Sequence, residues 1–120
     1  MMQESKQEMD LDLRDLDSYH GTEGYHMGFF GVRCTDGINY ISLNGYSWFV
    51  TDAIAVIRTK LSKEEFLSIK LNVNEDKTAL LRISDGNNKI LYSQTYKYTD
   101  ARKNLNLFYA DNVLMLSSEY

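Results

Sequence analysis

The second half of this chain alternates apolar and polar side chains with period two, and that pattern restricts the fold more than any other feature. Leu67, Ile69, Leu71 and Val73 fall on one side of an extended backbone, opposite Ser68, Lys70 and Asn72. Ala79, Leu81 and Ile83 repeat the pattern within a strand over 78–84. Ile90, Tyr92, Gln94, Tyr96 and Tyr98 line a third strand, and Leu105, Leu107 and Tyr109 a fourth. Val113 to Leu116 makes a fifth. Asp85-Gly86-Asn87-Asn88 and Asp111-Asn112 are turn sequences. Short loops between successive strands predict an antiparallel meander. The apolar face of such a sheet needs a cover.

Trp48 to Ile57, the most hydrophobic stretch, supplies that cover. Its alanines favour a helix, on which Phe49, Ala53 and Ile57 stack at i, i+4 and i+8. Asp52 sits in its middle, and a carboxylate there needs a hydrogen-bonding partner. Upstream, Phe30, Val32 and Cys34 alternate as a strand that Asp36-Gly37 ends with a turn. Residues 38–43 read either as a returning strand or as a short helix closed by Asn44-Gly45. Ser62-Lys63-Glu64-Glu65 has the form of a capping box, one helical turn before the sheet. Met9, Leu13 and Leu16, at i, i+4 and i+7, predict a short amphipathic N-terminal helix after a disordered tail over 1–7.

The expectation is an α+β fold: an antiparallel meander of five or six strands, one main helix packed on it, and the short N-terminal helix. Residues 8–120 form one domain in this reading, long enough to bury a core. With no proline, the edge strands lack one guard against pairing, so a homodimer is expected.

Charge narrows the partners. Residues 1–18 carry six acids against two bases, whereas 19–120 carry eleven of each, and the net charge is −4. A neutral body has no basic field for a nucleic-acid backbone. The acidic front segment reads either as a solvated helix or as an arm for a basic partner. No apolar run approaches the roughly 18 residues that span a bilayer. The polar, acidic start is not a secretory leader, and the lone Cys34 suits a reducing cytoplasm. A single cysteine on a strand reads as a small buried hydrophobe rather than a reactive thiol.

Chemistry-bearing residues crowd between Tyr19 and Ala55, which hold both histidines, the only tryptophan and the only cysteine. His20, Glu23 and His26 are metal-ligand types spaced three apart, though Gly21 and Gly24 disfavour the helix that would align them. Asp36 or Asp52 could orient a histidine. Ser47 stands in Gly-Tyr-Ser-Trp, not in a nucleophile elbow, and no phosphate-binding glycine loop appears. What remains is a concentration of rings with polar tips, suited to an interface or to a pocket for a flat heterocycle. The predicted ligand site is Tyr19, His20, Thr22, Glu23, Tyr25 and His26, with Asp36, Tyr46, Trp48 and Asp52 adjoining.

Several of these pieces recur together elsewhere. Gly21-Thr22-Glu23, Tyr25, Thr35-Asp36-Gly37 with Tyr40, Asp52-Ala53-Ile54, Asp85-Gly86-Asn87 and the ending from Val113 to Tyr120 carry the likeness. The chain resembles a small family of single-domain proteins of bacteria, phages and mobile elements that has no established activity. Where that family has an Arg-His pair after the first aromatic, this chain has Met27 and Gly28, with His26 just before. The resemblance implies a mobile-element setting, in which small non-enzymatic proteins bind host components.

The sequence therefore predicts a cytoplasmic, non-enzymatic binding protein without metal or cofactor. Its partner would be a small nucleotide-like ligand, captured to counter a host defence system. One alternative is an inhibitor that touches a host effector directly. The other is a metal-dependent hydrolase using His20, Glu23 and His26.

Overall fold

The computed structural model describes residues 25–27 and 29–120. Strand β1 (His26–Met27) and strand β2 (Arg33–Cys34) lead into helix α1 (Asp36–Ile41). A wide turn over Ser42–Tyr46 joins it to the main helix, α2 (Ser47–Lys60). Five strands follow: β3 (Phe66–Val73), β4 (Ala79–Ser84), β5 (Ile90–Tyr96), β6 (Leu105–Ala110) and β7 (Val113–Leu116). They share one seven-stranded sheet in the order β1-β2-β7-β6-β3-β4-β5.

This is an α+β fold with a mostly antiparallel sheet, but it is not the five- or six-stranded meander expected. β2 runs parallel to β7, and β6 leaves β5 to pair with the far side of β3. The stretch over 97–104 makes that crossing. Three strand spacings amount to about 14 Å, and eight extended residues reach about 27 Å. Thr99 donates its backbone N–H to Lys77 O at 2.8 Å, and Asn104 Oδ1 accepts from Val73 N at 2.7 Å, so the crossing is anchored to the ends of β3 and β4.

The turn chemistry explains where strands stop. Asp85 Oδ1 accepts from the N–H groups of Asn87 and Lys89, and Asn88 takes a left-handed conformation to close the β4–β5 hairpin. Asp111 and Asn112 both have positive φ, as a two-residue hairpin of the primed type requires. The strand expected through Phe30 shrinks to Arg33–Cys34, because Phe29–Gly31 forms a tight turn with Phe30 left-handed. Tyr98 lies beyond β5, exposed and bonded to Asp100. Ser62-Lys63-Glu64-Glu65 forms no helix of its own, since α2 ends at Lys60. The N-terminal tail and helix expected over 1–18 lie outside the described residues.

The ambiguous segment resolves as helix. Thr35 caps α1, its Oγ1 accepting from Ile38 N at 3.4 Å, and Gly45 at φ 98° reverses the chain afterwards. Helix α2 covers the sheet as the i, i+4 pattern required. Phe49, Ala53 and Ile57 are buried against Leu67, Ile69, Leu71, Leu81, Ile83 and Leu107. Arg58 near its end donates to Phe30 O and to Asn112 Oδ1, and Asn112 Nδ2 donates to Gly31 O. These bonds fasten the short β1–β2 unit to the body.

Candidate functional site

His26 and Asp36 come together. His26 Nε2 lies 3.0 Å from Asp36 Oδ1, the imidazole 45% and the carboxyl 35% exposed. β1 presents the histidine, and the first position of α1 presents the acid. That acid stands where a helix start favours negative charge.

Below this pair is a cavity of about 200 Å³ between β1–β2 and the two helices. Cys34, Ile38, Val50 and Ile54 give it apolar walls. Asn39, Ser42, Ser47 and Thr51 add amide and hydroxyl groups, and His26 and Met27 complete the lining. The helix period creates this wall: Ser47, Val50, Thr51 and Ile54 fall at i, i+3, i+4 and i+7 on one side of α2. The sequence reading missed Asn39, Ser42, Ser47 and Thr51. Their only signal is that small polar residues share a helix face with Val50 and Ile54, and surface helices do the same. Cys34 is the buried thiol expected; burial pushes its pKa up to about 11, so it is no thiolate nucleophile.

The C-terminal turn holds this site in place. Glu119 Oε1 accepts from Thr35 Oγ1 at 2.6 Å and from Leu116 N at 2.9 Å, while Oε2 accepts from Gly37 N at 3.1 Å. A side chain from the end of the sheet thus fixes the start of α1, and with it Asp36. Sequence reasoning singled out the terminal motif without finding this role.

The other predicted residues go elsewhere. Tyr46 is fully buried and does not line this cavity. Its hydroxyl accepts from Arg102 N and Lys103 N, so it braces the crossing over 97–104. Trp48 and Asp52 lie on the side of α2 facing β5, away from His26. Trp48 meets Tyr96 edge to face at 5.0 Å and donates from Nε1 to Gly45 O. Tyr96 donates its hydroxyl to Asp52 Oδ2 at 2.6 Å, which supplies the partner that this carboxylate needed. Tyr25 stacks on the Arg33 guanidinium, 5.3 Å from its ring centre, on the opposite face of the β1–β2 ladder from His26. Tyr19, His20, Thr22 and Glu23 lie outside the described residues. Among those described, no three His, Cys, Asp or Glu side chains gather as metal ligands.

Tyr96 yields a pH test. Burial, with the Asp52 carboxylate beside it, raises the pKa of this phenol above its ordinary value. A raised folded pKa means that its contribution is complete below about pH 10, the unfolded value, and lost as pH rises beyond it. Denaturant unfolding at pH 9 and pH 11 should show a steeper loss for the native chain than for Tyr96→Phe. Equal losses would mean that Tyr96 does not couple to folding.

A second cleft, of about 260 Å³, lies between the β3–β4 turn and the crossing. Glu75, Lys77, Asp100 and Arg102 line it with both signs of charge, and Val73 and Ala101 are its only aliphatic walls. Its walls carry four charged side chains, whereas, among the described residues, the cavity beside His26 has no Asp, Glu, Lys or Arg in its lining.

A mostly antiparallel seven-stranded sheet with one main helix, and a polar-rimmed cavity beside a His–Asp pair, define a small α+β protein with a pocket. The chain belongs to the family of unknown function DUF6876, whose family model matches residues 11–120. No curated protein and no solved structure matches it. Among the described residues, no helix is long and apolar enough to cross a membrane.

Proposed function

We propose that the protein is a non-enzymatic, cytoplasmic binding protein whose cavity under His26 and Asp36 takes the ring of a small nucleotide-like ligand. The observation that carries this reading is the junction of an apolar floor with a hydrogen-bonding rim. Ile38, Val50 and Ile54 suit the faces of a flat heterocycle, while Asn39, Ser42, Ser47 and Thr51 offer donors and acceptors to its edge. At about 200 Å³ the cavity is below the roughly 300–1,000 Å³ of drug-sized sites. It fits a base, and the sugar and phosphate of a nucleotide would lie outside. The phage and mobile-element setting implied by the resemblance gives such capture a use, the withdrawal of a nucleotide signal from a host defence. The expected homodimer would form at β5, the outer strand without proline.

A thermal-shift panel of nucleobases, nucleosides and nucleotides tests the reading. A ligand at a hundredfold its Kd stabilises by about 2.7 kcal/mol, roughly 10 °C for a chain of this size. Thr51→Leu, which fills the cavity, should abolish that shift while leaving the unliganded melting point within a few degrees. No shift across the panel would rule the reading out.

A second reading, direct contact with a host protein, is favoured by one observation. Tyr25, Met27 and Phe30 are 55%, 72% and 59% exposed around β1. A partner retained by the native chain and lost on Met27→Glu with Phe30→Glu would support it; retention by the double variant would exclude that surface.

A further inference from the structure

On the face of the sheet turned away from α2, Lys70 and Arg82 stand directly opposite each other on β3 and β4. Like charges so placed repel. Their other cross-strand neighbours are Asn106 and Ser93, and among the described residues no strand position on this face holds a carboxylate. Lys70 is exposed; Arg82 is half-buried, and its Nε is buried without a hydrogen-bond partner among the described residues. A buried donor left unpaired is costly. An incoming carboxylate relieves both the repulsion and the orphaned donor.

Beside the two cations is an apolar patch. Phe108 lies across from Ser68 and Met115, and its ring sits 5.3 Å from Phe66 and 5.2 Å from Tyr120, which is 74% exposed. Lys70 faces Asn106, two residues before Phe108, so Lys70 and Phe108 are diagonal neighbours, about 7–8 Å apart. On an α-helix, positions i and i+4 are separated by about 6 Å along the axis. A helix with a carboxylate at i and an aliphatic side chain at i+4 therefore spans from the cations to the rings. Nucleic acid suits this surface less well. Bases stack on open ring faces, whereas these three rings meet at 51°, 66° and 83° and form no flat platform. Two cations are also a short track for a phosphate backbone.

We infer that the open face of the sheet is a docking surface for an acidic amphipathic helix of a second protein. Its carboxylates meet Lys70 and Arg82, and its aliphatic side chains lie on Phe108, Tyr120 and Met115. The inference stands apart from the ligand reading, since the cavity lies on the α2 side of the sheet.

A fluorescein-labelled helical peptide with Glu and Leu at i, i+4 spacing is the probe, titrated with the full-length protein. Its anisotropy should rise, and the methyl signals of Met115 and Leu80 should shift while those of Ile54 stay in place. Lys70→Gln with Arg82→Gln should weaken binding about tenfold, at roughly threefold for each exposed ion pair. Lys70→Glu alone sets opposite charges across β3 and β4. It should raise the unliganded melting point by a few degrees while weakening the peptide, a split that a merely structural pair would not show. No rise in anisotropy overturns the inference, as does equal affinity for a peptide with Lys in place of every Glu. So does binding that survives these substitutions, or methyl shifts centred on Ile54. Tighter binding of a single-stranded thymidine oligonucleotide would make the face a nucleic-acid platform instead. Concentration-dependent Met115 shifts without peptide would seat a second copy there, and either result overturns the helix reading.

Discussion

Glu119→Ala should lower the stability of the fold by about 3 kcal/mol. Its carboxylate accepts three hydrogen bonds that join the end of β7 to the start of α1. Hydrogen bonds to charged groups contribute about 1.5–3 kcal/mol each when buried, and less where water can replace them. Glu119 is only partly buried, which brings the total toward the low end. The melting point should fall by roughly 10 °C. Glu119→Gln separates the parts of the clamp. Its amide oxygen can still accept from Thr35 and Leu116, but its amino group would face the Gly37 N–H, so about half of the loss should remain. Equal effects of Ala and Gln would place the stabilisation in charge rather than in these bonds. A melting point unchanged by either substitution would remove Glu119 from the account of how Asp36 is held.

Gly37→Ala should be nearly as damaging, by about 2–3 kcal/mol. A Cβ at this position would stand 2.6 Å from Leu116 Cδ1, 2.8 Å from Leu116 Cγ and 2.6 Å from Glu119 Oε1. Alanine suits a helix interior better than glycine by about 1 kcal/mol, so propensity alone would give the opposite sign. Sterics win because Leu116 is packed in the core and Glu119 is held by three donors. Shortening Leu116 to Ala in the Gly37→Ala background should recover part of the loss, a coupling that a double-mutant cycle in urea would measure. A stabilising Gly37→Ala would mean that α1 can move away from the sheet.

These two substitutions show why the sequence revealed some of this molecule and concealed the rest. Strands β3 to β7 were readable because inward residues such as Leu67, Ile69 and Leu71 alternate with polar ones, and a half-buried strand writes its period into the chain. Helix α2 was readable because Phe49, Ala53 and Ile57 keep a helical spacing. Pairing partners leave no such trace. Nothing in Leu105, Leu107 and Tyr109 distinguishes a strand beside β5 from one beyond β3, so the crossover and the parallel β2–β7 contact could not be read. The same limit governs the site. Tyr46 and Trp48 looked alike as rings with polar tips, yet the fold turns one into a brace for the crossing and sets the other against Tyr96. His26 and Asp36, ten residues apart, meet only because Thr35, Gly37 and Glu119 fix the start of α1.

The claim on which the function rests is that the cavity beneath His26 and Asp36 is where this protein meets its ligand. Chemical-shift mapping with a nucleobase or nucleoside that raises the melting point tests it most directly. The methyl groups of Ile38, Val50 and Ile54 and the imidazole of His26 should move together and saturate at one ligand concentration, while Trp48 and Tyr96 stay still. Shifts confined to Trp48 and Tyr96, or to the cleft at Lys77 and Arg102, would put the ligand elsewhere and contradict the claim.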